Sequence, residues 1–375
     1  MKTNDLARRR ALLGALAAGA SLAGCAGTLV PAQTPPPAPP PPPPPALRPA
    51  AGKLRIGVAS CCNQTVAQPI WDAVLAEAPE HMVFAGDNVY ASRQPFDIDL
   101  LRAAYALQAQ VPNFSRLRER IAHSAIWDDH DYGLNDAGAE FPHKQASKQA
   151  FVDFWALAAD DERRSRPGLH HALWVQHGGR RVQLIVLDTR WWRSPLKPTD
   201  QRGARGKERW LPDADPDKTM LGVEQWAWLE RRLREPADGH VVVSSIQVLA
   251  DGHGYERWGN FPLERERLMR TVRSSGAKGV VLVSGDRHIG GLYHHPAGEG
   301  AAPYPLWEMT SSGVTHPWTT ADEPGPNRIG PLVRDRHYGL VEFDFTAGEL
   351  TLSLRGAANQ VLHEHRVPLG LLQGA

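Results

Sequence analysis

Short apolar runs alternate with longer amphipathic stretches along the chain from Lys53 onward. Apolar runs of roughly four to eight residues between polar segments predict buried strands, and apolar residues three or four positions apart predict helices. The predicted strands are residues 54–60, 81–85, 124–127, 182–187, 241–246 and 279–284. A helix is predicted at 221–234, where Val223, Trp226, Leu229 and Leu233 recur at helical spacing. Alternating runs at 338–345 and 349–354 predict an antiparallel hairpin, so the pattern as a whole indicates an α/β fold.

The first 52 residues do not follow this pattern. Arg8, Arg9 and Arg10 precede an apolar run of small residues, which is typical of an export signal and resembles a twin-arginine signal. The run ends in LAGC, where Cys25 resembles the lipidated first residue of a mature lipoprotein; an ordinary cleaved signal is the alternative. We expect a signal peptide at 1–25, a proline-rich, extended stalk at 26–52 and a globular domain at 53–375. The expected location is therefore periplasmic or at the cell surface, anchored in the membrane by lipid at Cys25.

The overall charge excludes one class of partner. The 42 basic and 41 acidic residues give a net charge of +1, which provides no global field for nucleic acid. We therefore expect no nucleic-acid partner, and we expect a monomer.

The three cysteines, Cys25, Cys61 and Cys62, cannot build a disulfide framework once Cys25 carries lipid.

Chemically active side chains follow five of the predicted strands. In open α/β sheets the carboxyl ends of the strands meet at one edge. The segments that follow the strands are SC at 60–61, GDNVY at 86–90, DDHD at 128–131, DTR at 188–190 and GDRH at 285–288. Each segment alone is typical of an ordinary turn. Together they bring carboxylates, a phenol, a thiol and imidazoles to one edge, which indicates a metal site.

The turn WDDHD concentrates three carboxylates and an imidazole in residues 128–131. Adjacent carboxylates repel and raise each other's pKa unless a cation or hydrogen-bond donor compensates. The turn is therefore either a solvated acidic loop or part of a metal site.

The motifs GDNVY, WDDHDYGLNDAG, LDTR and GDRHIGG, in this order, resemble the PhoD-like alkaline phosphatases and phosphodiesterases, a branch of the calcineurin-like metallophosphoesterases. The resemblance extends to LGVEQWAWLE and ERWGNFPLERERL. It implies a four-layer αββα sandwich at 53–375 with the metal site at the carboxyl ends of the strands. It also implies hydrolysis of phosphate mono- or diesters by a binuclear metal centre, which would hold a hydroxide as the nucleophile.

The resemblance implies a role for individual residues. His130 would be the general acid that protonates the leaving group, and Asp131 would orient its imidazole. From their positions in the chain, and not from the resemblance, Asn135 and Asp136 would reach the metal edge, and Asn135 and Arg190 would contact substrate. The alternatives are turn positions for Asn135 and Asp136 and a salt bridge to Asp188 or a neighbour for Arg190. The implied metal ligands are Cys61, Asp87, Tyr90, Asp129, Asp286 and His288, with Asp87 bridging the two ions.

These ligand types suit two different ions. A phenolate and a thiolate suit ferric iron, and the oxygen-rich second position suits calcium, magnesium or manganese. The resemblance favours Fe³⁺ with Ca²⁺, and zinc, manganese or magnesium are the alternatives. Cys62 stands beside Cys61 as a competing thiol.

The sequence leaves two alternative functions, and two alternative structures for residues 197–209. A nuclease or phospholipase-type phosphodiesterase of the same superfamily would share the chemistry, whereas a non-catalytic surface lipoprotein would not need the clustered side chains. The polar, basic segment 197–209 is either a lid or an insertion, and its composition favours disorder.

Overall fold

The computed structural model describes residues 52–298 and 301–374. The predicted signal peptide, the lipidation site Cys25 and the proline-rich segment as far as residue 51 lie outside these residues. Within the two described ranges, every helix is too short or too polar to span a lipid bilayer.

The described residues form fifteen strands and seven α-helices. In chain order the strands are β1 (Lys53–Ala59), β2 (His81–Ala85), β3 (His123–Ile126), β4 (His171–His177), β5 (Arg180–Val186), β6 (Lys197–Pro198), β7 (Trp210–Leu211), β8 (Gly239–Val243), β9 (Val280–Ser284), β10 (Gly290–His295), β11 (Leu306–Ser311), β12 (Arg328–Val333), β13 (Tyr338–Asp344), β14 (Glu349–Arg355) and β15 (Val361–Pro368). The helices are α1 (Ile70–Glu77), α2 (Ile98–Ala109), α3 (Pro112–Arg120), α4 (Asp129–Tyr132), α5 (Lys144–Phe154), α6 (Gly222–Leu233) and α7 (Pro262–Ser275).

Two large mixed sheets form the centre of the fold. The first has the strand order β15-β14-β13-β1-β2-β3, and the second has the order β12-β10-β11-β9-β8-β5-β4. Strands β1, β2 and β3 run parallel to one another, as do β5, β8, β9 and β11. The sheets face each other, since β1 contacts β4 and β11 contacts β13 and β14.

Helices pack on each sheet. On the first sheet, Trp71 of α1 and Phe114 of α3 lie against Phe84 of β2, with ring centroids 5.8 and 5.5 Å away. On the second, Gln225 of α6 bonds to both the N–H and the C=O of Asp188 at the end of β5, each at 2.8 Å. The result is the predicted fold class, an α/β structure with two sheets between helical layers.

The predicted elements differ from the observed ones mainly at their ends. Predicted strand 81–85 coincides with β2, and the other predicted strands shift by one to three residues. Helix α6 buries Trp226, Leu229 and Leu233 as predicted, but Val223 is 84% exposed because it lies in the first turn on the solvent side. Seven strands were not predicted, namely β4, β6, β7, β10, β11, β12 and β15. The edge strand β15, for example, is mostly half-exposed, and its sequence, VLHEHRVP, lacks a clear apolar alternation.

Candidate metal centre

The loops that follow three strands of the first sheet and one strand of the second bring the predicted metal ligands together. Cys61 follows β1, Asp87 and Tyr90 follow β2, and Asp129 begins α4 directly after β3. The GDRH loop follows β9 and carries the remaining two ligands. Three groups of side chains have ligand atoms within 4.8 Å of one another: Cys61, Asp87 and His288; Asp87, Asp129 and His130; and Asp128, Asp129 and Asp286.

Four of these ligand positions have a left-handed backbone. The φ angles are +63° at Cys61, +52° at Asp87, +70° at Asp286 and +54° at His288. Non-glycine residues rarely adopt this conformation, and such strain persists where the surrounding structure enforces it, most often at functional sites. The backbone therefore marks the same positions as the sequence motifs.

Tyr90 connects two other ligands. Its hydroxyl donates to Oδ2 of Asp87 at 3.0 Å and lies 2.9 Å from Nε2 of His288. The sulfur of Cys61 lies 3.6 Å from the same Oδ2 of Asp87 and 3.0 Å from the hydroxyl of Ser312. The thiol and the phenol thus meet at one carboxylate oxygen, and the imidazole of His288 contacts the phenol.

Asp129 lies on the other side of Asp87. Its Oδ2 accepts a hydrogen bond from the backbone N–H of Asp136 at 2.8 Å. Its Oδ1 is buried and has no hydrogen-bond partner among the described residues. An unsatisfied buried carboxylate oxygen is costly unless a cation or donor approaches it.

Electrostatics in the cluster favour a bound cation. Burial, followed by the charge of Asp129, raises the pKa of Asp87 well above its usual range. Burial raises the pKa of the Cys61 thiol to about 12 and that of the Tyr90 phenol well above its usual range. Burial lowers the pKa of His288 to about 3, which keeps its imidazole neutral. A nearby cation would favour the anionic forms of the acidic groups, and a neutral imidazole is the form that binds metal.

The donor set therefore suits metal binding. Asp87 belongs to two of the three groups of ligand atoms, one containing Cys61 and one containing Asp129. The first group has a thiol and an imidazole, with the Tyr90 hydroxyl beside them, and the other two groups consist mainly of carboxylates. The orphaned Oδ1 of Asp129 points to a missing positive partner on the carboxylate side.

The structure separates the two adjacent thiols. Cys61 and Cys62 are both unbridged and buried. Cys61 contacts Asp87, whereas Cys62 belongs to the hydrophobic core. Cys61, and not Cys62, therefore makes the polar side-chain contacts in the cluster.

The imidazole of His130 is oriented by Ser92 and not by Asp131. The hydroxyl of Ser92 lies 2.6 Å from Nδ1 of His130. Asp131 is fully buried, and it accepts hydrogen bonds from the N–H of Asp128 at 2.6 Å and from the side chain of Asn88 at 2.6 Å. The predicted catalytic role of Asp131 is wrong for this structure, because its carboxylate closes the loop around α4.

Arg190 is a buried structural cation. Its guanidinium is 0% exposed and lies 2.5 Å from Asp128 and 2.8 Å from Glu256. Asp188, the alternative partner, accepts only the backbone N–H of Arg190, at 2.9 Å. The prediction of a substrate contact is therefore wrong, because both ends of this guanidinium are used within the protein interior.

A cavity of about 250 Å³ opens over the cluster. Asn135 lines it, in agreement with the predicted position at the edge of the site, as do most of the candidate ligands. Asp136, which the sequence also placed at this edge, lines the cavity as well, and the residues that the sequence prediction missed are Arg209, Tyr255, Glu256, Arg287 and Trp318. Arg287 lies within the GDRH motif, so its position beside two candidate ligands was a usable signal.

Arg209 was missed because its segment was expected to be disordered. In the structure, β6 and β7 form an antiparallel pair with Lys197 opposite Leu211. The N–H of Arg209 donates to the carbonyl of Gly254 at 2.9 Å. The guanidinium of Arg209 lies 3.0 Å from Asp136 and reaches the cavity. The predicted disorder of 197–209 is therefore wrong, because backbone pairing holds this basic segment at the site.

Comparison with known proteins gives four similarities. A family model described as PhoD-like phosphatase matches residues 56–354. Alkaline phosphatase D of Bacillus subtilis (strain 168) is 28% identical over 192 residues, which span 45% of this chain and only 32% of that protein. The solved structure of PhoD has a TM-score of 0.65 at 17% identity and covers 85% of this chain and 70% of its own. The purple acid phosphatase PPD1 from yellow lupin (Lupinus luteus) seeds has a TM-score of 0.54 at 10% identity, over 84% of this chain and 54% of its own.

The two solved structures show a shared fold, and the family match identifies the chain more closely. The matched residues include every candidate metal ligand from Cys61 to His288 and extend into β14. The chain therefore belongs to the PhoD-like phosphatase family.

Proposed function

We propose that this protein hydrolyses phosphoric esters with a pair of metal ions held at the edge of the two sheets. The observation that carries the proposal is the clustering of six ligand-type side chains, Asp87 among them, with four of the six on left-handed backbone. Structural burial alone gives no reason to collect like charges there. A non-catalytic surface protein would have no use for this arrangement.

The chain offers a different set of donors to each ion. Cys61, Tyr90 and His288 would hold one, and Asp129 and Asp286 would hold the other, with Asp87 shared between them. Two ions at this position would supply Lewis acidity toward phosphoryl oxygens and an activated water as the nucleophile. Thiolate and phenolate donors favour ferric iron, and the carboxylates favour calcium, with zinc, manganese or magnesium as alternatives.

The remaining cavity residues would bind the ester and move its proton. We assign His130 as the general acid that protonates the leaving oxygen, because Ser92 fixes the Nδ1 side of the ring and leaves the other nitrogen available. Arg209 and Arg287 provide positive charge in the cavity, and guanidinium groups bind phosphate oxygens through paired hydrogen bonds. Asn135 adds a neutral donor.

The experiment that tests the function is an assay of the purified protein on aryl phosphate monoesters and diesters, before and after chelation. Hydrolysis that is lost with the metal and restored by adding it back supports the proposal. A protein that cleaves neither ester with its metals bound would overturn it. The ratio of monoester to diester rates decides between the two substrate classes.

We also propose export by the twin-arginine route and lipid anchoring at Cys25. The support is the sequence alone, namely three consecutive arginines before an apolar run that ends in LAGC. Mass spectrometry of the mature N-terminus is the test. A lipidated Cys25 as the first residue is the expected result, and an unmodified N-terminus at another position would contradict it.

A further inference from the structure

A second cavity of about 520 Å³ adjoins the one above the candidate ligands. We name it the hairpin pocket, and its lining residues are Asn135, Asp136, Pro198, Thr199, Arg202, Arg209 and Trp210. Asn135, Asp136 and Arg209 line both cavities. The two cavities are therefore neighbours that share part of their walls.

Asp136 ties this pocket to the candidate metal centre. Its Oδ2 accepts hydrogen bonds from Arg209 at 3.0 Å and from the indole N–H of Trp210 at 2.9 Å. Its own backbone N–H donates to Oδ2 of Asp129 at 2.8 Å. One residue thus joins the wall of the hairpin pocket to a candidate metal ligand.

The pocket wall is built into the fold. The carbonyl of Gly254 accepts the backbone N–H groups of Arg209 at 2.9 Å and Trp210 at 2.7 Å. The side chain of Glu208 accepts the N–H groups of Gly206 and Gly254. These contacts hold β7 and the preceding loop against the centre, so the pocket is preformed.

The lining favours a particular chemistry. Pro198 and the ring of Trp210 offer apolar surface, which suits a flat ring. Arg202 is exposed at the pocket and makes no ion pair or side-chain hydrogen bond within the described residues. Arg209, by contrast, is already paired with Asp136. An occupant with a ring and an acidic substituent would use both kinds of surface.

We propose that the hairpin pocket binds the leaving group of the phosphoric ester, and that the preferred leaving group is a ring bearing an acidic substituent. This inference rests on the proposed function, since the phosphoryl group would lie in the smaller cavity over the ligands. The ester oxygen would lie between the two cavities, beside Asn135 and Arg209. Arg202 determines the preference for the acidic substituent, and Trp210 determines the preference for the ring.

The first test compares 4-carboxyphenyl phosphate with phenyl phosphate. In Arg202→Gln, we expect kcat/KM for the carboxylated ester to fall about fivefold, the size of a solvent-accessible ion pair, with less than about a twofold change for phenyl phosphate. Arg205→Gln is the matched control, because Arg205 is an exposed arginine of the same hairpin that does not line the pocket. Equal effects of the two variants on the two esters would overturn the inference.

The second test isolates the ring. Trp210→Phe and Trp210→Leu both remove the hydrogen bond to Asp136, but only Trp210→Leu removes the aromatic ring. We expect the preference for phenyl phosphate over ethyl phosphate to persist in Trp210→Phe and to fall several-fold, about the worth of an aromatic contact, in Trp210→Leu. The same preference in both variants would show that the ring does not contact the pocket.

A binding measurement separates this inference from the proposed function. Calorimetry uses 4-hydroxybenzoate, the phenol that hydrolysis releases from 4-carboxyphenyl phosphate. It should show binding to the wild-type protein and to Arg205→Gln, and weaker binding to Arg202→Gln. If this pattern holds but no ester is cleaved, the hydrolase proposal fails, and the pocket is still shown to bind an aromatic acid. If esters are cleaved but 4-hydroxybenzoate does not bind, the pocket assignment fails alone.

Discussion

The hydroxyl of Ser92 lies 2.6 Å from Nδ1 of His130, and this contact orients the imidazole at the edge of the carboxylate cluster. General acid catalysis needs such orientation, and it contributes roughly 10²- to 10⁴-fold to rate. We expect Ser92→Ala to lower kcat about tenfold for esters with poor leaving groups, because misorientation forfeits part of this contribution. Ser165→Ala, at an exposed serine that bonds only to the carbonyl of Glu162, is the control. An unchanged kcat in Ser92→Ala would contradict the assigned role.

Replacement of His130 itself separates a general acid from a metal ligand. A ring nitrogen of His130 lies close enough to Asp87 and Asp129 to bind metal as well. We expect His130→Ala to retain its metals and to slow esters with poor leaving groups most, since these depend on protonation. Elemental analysis beside the rate measurements checks this, and loss of metal in the variant would make His130 a ligand.

If Tyr90 binds ferric iron as a phenolate, the protein should absorb visible light and be coloured. We expect Tyr90→Phe to lose visible absorbance and bind less iron, because the oxygen between Asp87 and His288 is removed. Tyr105→Phe is the matched control, since the buried hydroxyl of Tyr105 contacts Asp131 and not a candidate ligand. Absorption spectra of the two variants make the comparison, and retained colour in Tyr90→Phe would exclude Tyr90 as its source.

The buried cation Arg190 should matter for stability more than for substrate affinity. Its removal leaves the carboxylate of Asp128 without its buried ion-pair partner and leaves Glu256 paired with Arg193 alone. We expect Arg190→Met to lower the free energy of unfolding by about 3–5 kcal/mol, measured by urea denaturation. Arg180→Met, which breaks an exposed pair with Asp238, should cost less than about 1 kcal/mol. A variant of normal stability with a raised KM would restore Arg190 as a substrate contact.

Metal removal should loosen residues 128–136 before the rest of the fold. Without a cation, the buried carboxylates of Asp87, Asp129 and Asp286 repel one another, and Asp129 is held by the backbone of this segment. Hydrogen exchange after chelation is the measurement. We expect faster exchange of these amides while helix α6 stays protected, and uniform loosening of both would count against a local role of the metal.

The sequence predicted the fold class and the family, and both are confirmed. Strands such as β2 have continuous apolar runs bounded by polar segments, and this signal is local. The clustering of active side chains could be predicted because parallel strands end at one edge, and the family resemblance then assigned six of them as ligands. The structure brings these six side chains together.

Long-range pairing could not be predicted in the same way. Whether Arg190 faces a cavity or a buried carboxylate depends on Glu256, which lies 66 residues further along the chain. The role of Ser92 depends on a contact with His130 across 38 residues, and no motif marks it. Arg209 was hidden by a composition typical of disorder, although backbone bonds to Gly254 fix its position.

The central claim is that Asp87 joins two metal ions in one centre. Elemental analysis of the purified protein, with the rate of aryl phosphate hydrolysis measured on the same samples, tests this most directly. We predict two metal ions per wild-type chain, and at most one with loss of hydrolysis in Asp87→Asn. Full activity in wild-type protein that contains no stoichiometric metal, or two ions retained in an active Asp87→Asn, would contradict the claim.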